Sequence, residues 1–343
     1  MKKLTTSYQC MHIDHEDKTI ASYISQDFIT LPVHLNSVTA RQRFIESLKS
    51  NEIPSHVFLI DGGDLCGILA VKKILEQTDP DVPIRSLMET RFFHAETSTL
   101  RSQLMLALRL TEEDVDIVPI LDNNQLVGAL GERQIERIIE DEATEDAQLQ
   151  GGSLPLDKPY LETSPFTLWK KRVVWLLLLF IAEAYTSNVL QHFSNEIETV
   201  TALAFFIPLL IGTGGNSGTQ ITTTLVRSLA IGQIQLRDIG KILFKEMSTA
   251  TLIAVTLGIA GILRSFLMPN IGWGVIYTVS LTLMCIALWS AFVSSATPLF
   301  LKKCNIDPAV VSGPFICTLI DGTGLIIYFE IAKVMIPSLN LIS

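Results

Sequence analysis

The chain has 343 residues, 48% of them hydrophobic, and a formal net charge of −9, with a mean hydropathy of +0.38. Up to residue 169 there are 15 Lys+Arg against 27 Asp+Glu, and beyond it 11 against 8. An acidic part that repels nucleic acid and attracts cations therefore precedes an apolar part that reads as membrane-spanning. Cys10, Cys66, Cys285, Cys304 and Cys317 share no CxxC-like spacing, which excludes a zinc site and a disulfide framework. No Ser-His-Asp arrangement, phosphate loop or metal-ligand run supports an enzyme.

In chain order, residues 1–19 read as a short mobile tail rather than a metal site, despite His12, Asp14 and His15. The first 30 residues hold no apolar run of the kind a signal peptide carries. Residues 20–140 contain two half-repeats. VFLIDGGDLCGILAVKKIL (57–75) and VPILDNNQLVGALGERQIERI (118–138) share the order strand, Asp, turn, strand, amphipathic helix, at an offset of about 61 residues. Ser37 and either Ser98 or Thr99 are the expected starts of the helices that precede these strands.

This α+β repeat resembles a tandem pair of CBS domains. Such pairs often hold adenosine nucleotides through a Thr or Ser and an Asp after the second strand. Here those places read Ala70, Lys72 and Lys73 in one copy and Gly131, Arg133 and Gln134 in the other. The ribose-binding aspartate is missing twice, so nucleotide binding is not expected, and Lys72 and Lys73 read as a solvated surface.

Residues 141–169 form an acidic connecting segment. In IEDEATEDAQLQGG (139–152), Glu142, Glu145 and Asp146 lie on neighbouring turns of a helix. Like charges at these spacings are destabilising unless cations neutralise them.

Residues 170–343 hold five apolar segments, roughly 173–190, 201–230, 242–267, 274–301 and 309–336, each reaching the ~20 residues a span requires. Lys170, Lys171, Arg172, Arg227, Arg237, Lys241, Lys245, Lys302 and Lys303 all fall on one side. Only Arg264 and Lys333 fall on the other. The positive-inside bias then places the N-terminal region in the cytoplasm and the C-terminus outside the cell's inner membrane.

The second segment is the most informative. PLLIGTGGNSGTQITTTLVRSLAIGQIQLR (208–237) sets Gly212, Gly214, Gly215, Gly218, Asn216 and Gln220 in an apolar stretch, where exposed backbone and amides must face protein or water. A pore is the expected explanation. The fifth segment, DPAVVSGPFICTLIDGTGLIIYF (307–329), carries Asp321. Pro314 is read as interrupting its hydrogen-bond ladder, with Cys317 and Gly324 placing carbonyls on the face of Asp321. The remaining acids within the spans are Glu183, Glu246 and Glu330, each costing about 2.5 kcal/mol or more at mid-bilayer.

Both motifs resemble helices two and five of the MgtE-type magnesium channel family, in the right order, and the resemblance runs from about residue 20 to 336. It implies a homodimer embedded in the bilayer. In each chain an α+β cytosolic CBS pair would precede an all-α pore domain of five transmembrane helices. Gly212, Gly215, Asn216, Gln220, Pro314, Cys317 and Gly324 would line the pore, and paired Asp321 carboxylates would hold Mg²⁺. A hard cation that keeps its waters suits carboxylate and carbonyl oxygens. The acidic run would be the family's connecting or plug helix, where Mg²⁺ bound at Glu142, Glu145 and Asp146 favours closure.

Glu198 matches an accessory position at the external mouth. Glu246 also has a match, but is read first as a partner of Arg227, Lys241 or Lys245. Two departures stand out. Family members usually carry a further helical domain before the CBS pair, so weaker regulation is expected, and SSATP at Pro298 replaces a frequent glycine. The implied function is Mg²⁺ uptake gated by cytosolic Mg²⁺. The alternatives are transport of Co²⁺ or Mn²⁺, and a non-conducting membrane sensor.

Overall fold

The computed structural model describes residues 19–48, 53–111, 115–123, 125–269 and 271–339. His12, Asp14, His15 and Cys10 lie outside them. The chain divides into two compact units, Met1–Ala143 and Thr144–Ser343.

The first unit is a six-stranded sheet, β1 (Thr30–Pro32), β2 (His56–Asp61), β3 (Asp64–Ala70), β4 (Ala95–Glu96), β5 (Ile117–Asp122) and β6 (Gln125–Gly131), in the order β1-β2-β3-β6-β5-β4. The outer pairs β1–β2 and β4–β5 are parallel, and the inner pairs are antiparallel. Three helices accompany it: α1 (Ser37–Ser47), α2 (Val71–Glu76) and α3 (Arg101–Leu110). A fourth, α4 (Glu132–Gln150), begins here and runs into the second unit.

The repeat holds to fine detail. β2 and β5 each break register once, between Leu59 and Ile60 and between Ile120 and Leu121, positions separated by the same 61 residues as the motifs. The hairpins obey one backbone demand. A two-residue connection between antiparallel strands needs left-handed residues, supplied by Gly62 and Gly63 (φ +60° and +107°) in the first copy and by Asn123 (φ 49°) in the second. Val57, Phe58 and Leu59 are fully buried, which explains why β2 reads as an unbroken apolar run rather than an alternating one.

α1 starts at Ser37 as expected, whereas α3 starts later than expected. Asn36 caps α1, its Oδ1 accepting from Thr39 N at 3.0 Å, and Ser37 is the first helical residue. α3 begins at Arg101 after Leu100, and Thr99 Oγ1 instead accepts from Glu96 N at 3.0 Å.

The second unit is helical: α5 (Pro165–His192), a short α6 (Ser194–Thr199), α7 (Ile207–Ala230), α8 (Ile239–Phe266), α9 (Trp273–Lys303) and α10 (Gly313–Met335). Four of the five long helices, α5, α8, α9 and α10, are long and apolar enough to cross a membrane. α7 has the length, but its Gly, Thr, Asn and Gln content lowers its hydropathy below theirs. Its expected first residues, Thr201–Phe206, form a 3₁₀ turn instead.

α10 starts at Gly313, with Ser312 Oγ accepting from Phe315 N at 3.2 Å and Pro314 in the first turn. Pro314 therefore opens the helix rather than interrupting it, since the missing N–H would have no helical partner there. Pro298, by contrast, sits inside α9 and leaves the carbonyl of Ser294 without its helical donor. Thr222 of α7 donates its hydroxyl to that carbonyl at 3.4 Å.

Candidate ion site

The site is built on α7 and α10. Gly214, Gly215 and Gly218 of α7 are buried because nothing larger fits. A Cβ on Gly214 would stand 2.8 Å from both Ile286 and Ile320, on Gly215 2.9 Å from Cys317 Sγ, and on Gly218 2.5 Å from Ile320 and 2.7 Å from Ile316 and from Ser294 Oγ. These glycines draw α7 against α9 and α10, as small residues do between helices in lipid. They do not loosen the packing, and the carbonyl of Gly214 is taken by Ser290 Oγ at 2.8 Å.

The opposite stripe of α7 is Gly212, Asn216 and Gln220, spaced four apart and exposed in the single chain. A Cβ on Gly212 would meet nothing within 4 Å. A polar face of this kind is tolerated at membrane depth only against water or protein.

On α10, Asp321 has one buried carboxylate oxygen with no hydrogen-bond partner among the described residues. Glu183 of α5 is the like charge that acts on it. The following Gly322 lies against the ring of Tyr185 and Thr186 of α5, so α5 and α10 approach closely beside the carboxylate. Cys317 Sγ is 3.5 Å from Thr219 Oγ1. Gly324 is buried against Ile286 of α9, so it serves helix packing. Pro314 is exposed at the first turn.

Among the described residues, Glu246 forms no ion pair with Arg227, Lys241 or Lys245. It lines a cleft of about 180 Å³ with Gln220, Thr224 and Thr249. Glu198 is exposed on α6. Its neighbour Glu196 reaches Lys333 at 3.7 Å, and Glu330 reaches the same ammonium at 3.1 Å. That cation also stands 4.8 Å over the Phe193 ring, which accounts for Glu330 as an ion-pair residue.

The acidic residues divide between the two units. Glu142 Oε1 lies 3.0 Å from Nε of the buried Arg101, a cation supplied by the protein itself. Tyr23 accepts from Arg101 at 3.2 Å and donates to Asp141 at 2.6 Å. Burial pushes the Tyr23 phenol up, and its bond to Asp141 adds to that. Glu145 and Asp146 follow on α4. Among the described residues of one chain, no three His, Cys, Asp or Glu side chains converge to hold a metal ion. Lys73 donates to Glu89 at 2.7 Å and holds that carboxyl below its usual range, while Lys72 lies 3.8 Å from Glu76.

Residues 207–331, which contain α7 and Asp321, match the MgtE family profile, described as a divalent cation transporter. The chain is 32% identical over 289 residues to the magnesium transporter MgtE of Thermus thermophilus, covering 82% of this chain and 62% of that one. The chain belongs to the MgtE family. It is also 25% identical over 324 residues to the magnesium transporter MgtE of Enterococcus faecalis, covering 94% of this chain and 70% of that one. Among solved structures it is similar to the soluble part of a magnesium transporter, at 20% identity and a TM-score of 0.35, covering 38% of this chain and 50% of that chain. This chain thus spans about three fifths of the Thermus relative's length.

Family membership and the four apolar helices make it a membrane protein. Sequence reasoning named Glu183 without giving it a partner, and did not single out Glu196 in the helical unit or Arg101 in the sheet unit. Each acts on a residue far away in the chain. Glu183 did carry a signal, since an acid inside an apolar helix must face something polar.

Proposed function

We propose that the chain is a homodimeric Mg²⁺ channel that takes up the ion across the cell membrane and closes when cytosolic Mg²⁺ rises. The observation that carries this reading is the buried, unpartnered oxygen of Asp321 in a helical unit whose α7 also exposes Gly212, Asn216 and Gln220. One carboxylate is a thin site for a divalent ion. A second copy would double it and cover the polar stripe in one step, as an isologous interface does. Mg²⁺ keeps several waters, so carboxylates and amides can hold the hydrated ion without stripping it.

In this reading residues 20–140 are a cytosolic CBS pair without bound nucleotide, 141–169 the acidic connection and 170–343 the pore domain. The loop cations favour a C-terminus outside. Glu142, Glu145 and Asp146 of α4 are the acids assigned to cytosolic Mg²⁺, and Glu142 would exchange Arg101 for it. Co²⁺ and Mn²⁺ are the competing cargoes, and a non-conducting sensor is the competing class.

Reconstitution into liposomes with an inside-negative potential separates these readings. Mg²⁺ entry that survives equimolar Co²⁺ and Mn²⁺ is expected. Preferential entry of either competitor reassigns the cargo. No divalent entry from folded protein leaves the sensor.

A further inference from the structure

Within the second unit, the end of α4 and the start of α10 meet on one indole. After α4 the chain turns at Gly152, whose φ of +72° is a backbone state that side chains rarely adopt. A Cβ there would stand 2.7 Å from Trp175 Cδ1, 2.8 Å from Trp175 Nε1 and 3.6 Å from Pro314 Cγ. The backbone therefore lies flat on the indole of α5, beside the first turn of α10. The indole N–H donates to Ser312 Oγ at 3.1 Å, the oxygen that also caps α10 by accepting from Phe315 N at 3.2 Å. The next residue, Gly313, has room for a Cβ only 3.0 Å from Thr219 of α7 and 3.8 Å from the carbonyl of Gln150, the last residue of α4.

The end of α4 is also held from the other direction. Leu156 N donates to Gln148 Oε1 at 2.8 Å, Leu154 N donates to Lys171 O at 3.0 Å, and Lys171 pairs with Asp157 at 3.0 Å. The turn cannot slide along α5 without breaking these bonds.

We propose that Trp175 is a positioning residue that couples the acidic helix α4 to the pore helix α10. Asp321 lies nine residues beyond Ser312 on one continuous helix, roughly 13 Å along its axis at ~1.5 Å per residue. A shift of the end of α4 is passed through the indole to the cap of α10, and so to the ion site. Trp175 touches no ion. Its amphipathic ring suits the task, because one face packs while the N–H holds a fixed acceptor.

This inference rests on the proposed Mg²⁺-gated channel, and its test reads two quantities separately. In proteoliposomes the maximal Mg²⁺ entry at low cytosolic-side Mg²⁺ is measured, together with the Mg²⁺ concentration that halves it. Trp175→Phe keeps the ring on Gly152 and removes only the donor. It is expected to leave maximal entry close to wild type and to raise the half-closing concentration by about tenfold, within the range usual for coupled sites.

Ser312→Ala removes the shared acceptor. The double variant should shift no further than the larger single shift, as two halves of one contact do. Ser312→Ala also costs α10 its cap, so Trp175→Phe alone decides if that variant fails to fold. An unchanged half-closing concentration in Trp175→Phe, with wild type closing normally, overturns the coupling and leaves the channel reading intact. Fully additive shifts overturn it as well. A wild-type pore that ignores Mg²⁺ overturns the gating reading and the coupling with it.

Discussion

The two units sort their side chains in opposite ways. In the sheet unit Val57, Phe58, Leu59, Val118 and Ile120 are fully buried. In the helical unit Phe180, Phe244 and Leu252 are each more than 70% exposed, while Ser290 and Thr278 have no exposure. Water expels apolar surface from the first unit. Lipid tails are as apolar as leucine and expel nothing of the kind, so the second unit is held by close backbone approach and by hydroxyls that reach carbonyls. Ser290 to Gly214, Ser280 to Gly258 and Tyr328 to Leu203, at 2.8, 2.8 and 3.0 Å, are such bonds. The same residue type thus carries opposite meaning on the two sides of residue 143.

The largest expected effect tests the water-facing half of that contrast. Phe58→Ala should destabilise the sheet unit by about 3–5 kcal/mol, as large-to-small changes in a closed core do. Phe244→Ala should leave the thermal midpoint in detergent unchanged. Equal losses at the two positions would erase the distinction between the units.

A smaller effect sharpens the contrast inside α7. Gly218→Val inserts a side chain where a Cβ already stands 2.5 Å from Ile320, and should cost about 1–3 kcal/mol of stability by overpacking. Gly212→Val, at a position where a Cβ meets nothing within 4 Å in one chain, should cost the chain's own packing less than Gly218→Val and act chiefly on ion flux. Matching stability losses at the two glycines, read from thermal unfolding in detergent, would mean that α7 has no distinct packing and open faces.

The same contrast explains what could be read in advance. The sheet unit was legible because its strands repeat at 61 residues and its hairpins need particular residues at positive φ. The five long helices were legible from length and hydropathy, although the hydropathy of α7 is lowered by the glycine and amide residues that make it informative. The packing role of the buried glycines of α7 was not legible, because sequence alone does not say that Ile320, Cys317 and Ser294 press on them from other helices. Pro314 was misread although a signal was present: a Ser two residues before a Pro is a helix-start pattern. Charge pairing stayed hidden, since Arg101–Glu142 and Glu196–Lys333 join residues far apart in the chain, and only the fold sets such distances.

The central claim, that the helical unit builds an ion path around Asp321, is tested most directly by Asp321→Asn. The amide keeps the size of the carboxylate and removes its charge. Mg²⁺ entry into proteoliposomes should be lost while membrane insertion and helical circular dichroism match the unsubstituted protein. Entry at the unsubstituted rate from the folded Asp321→Asn protein would place the ion path elsewhere.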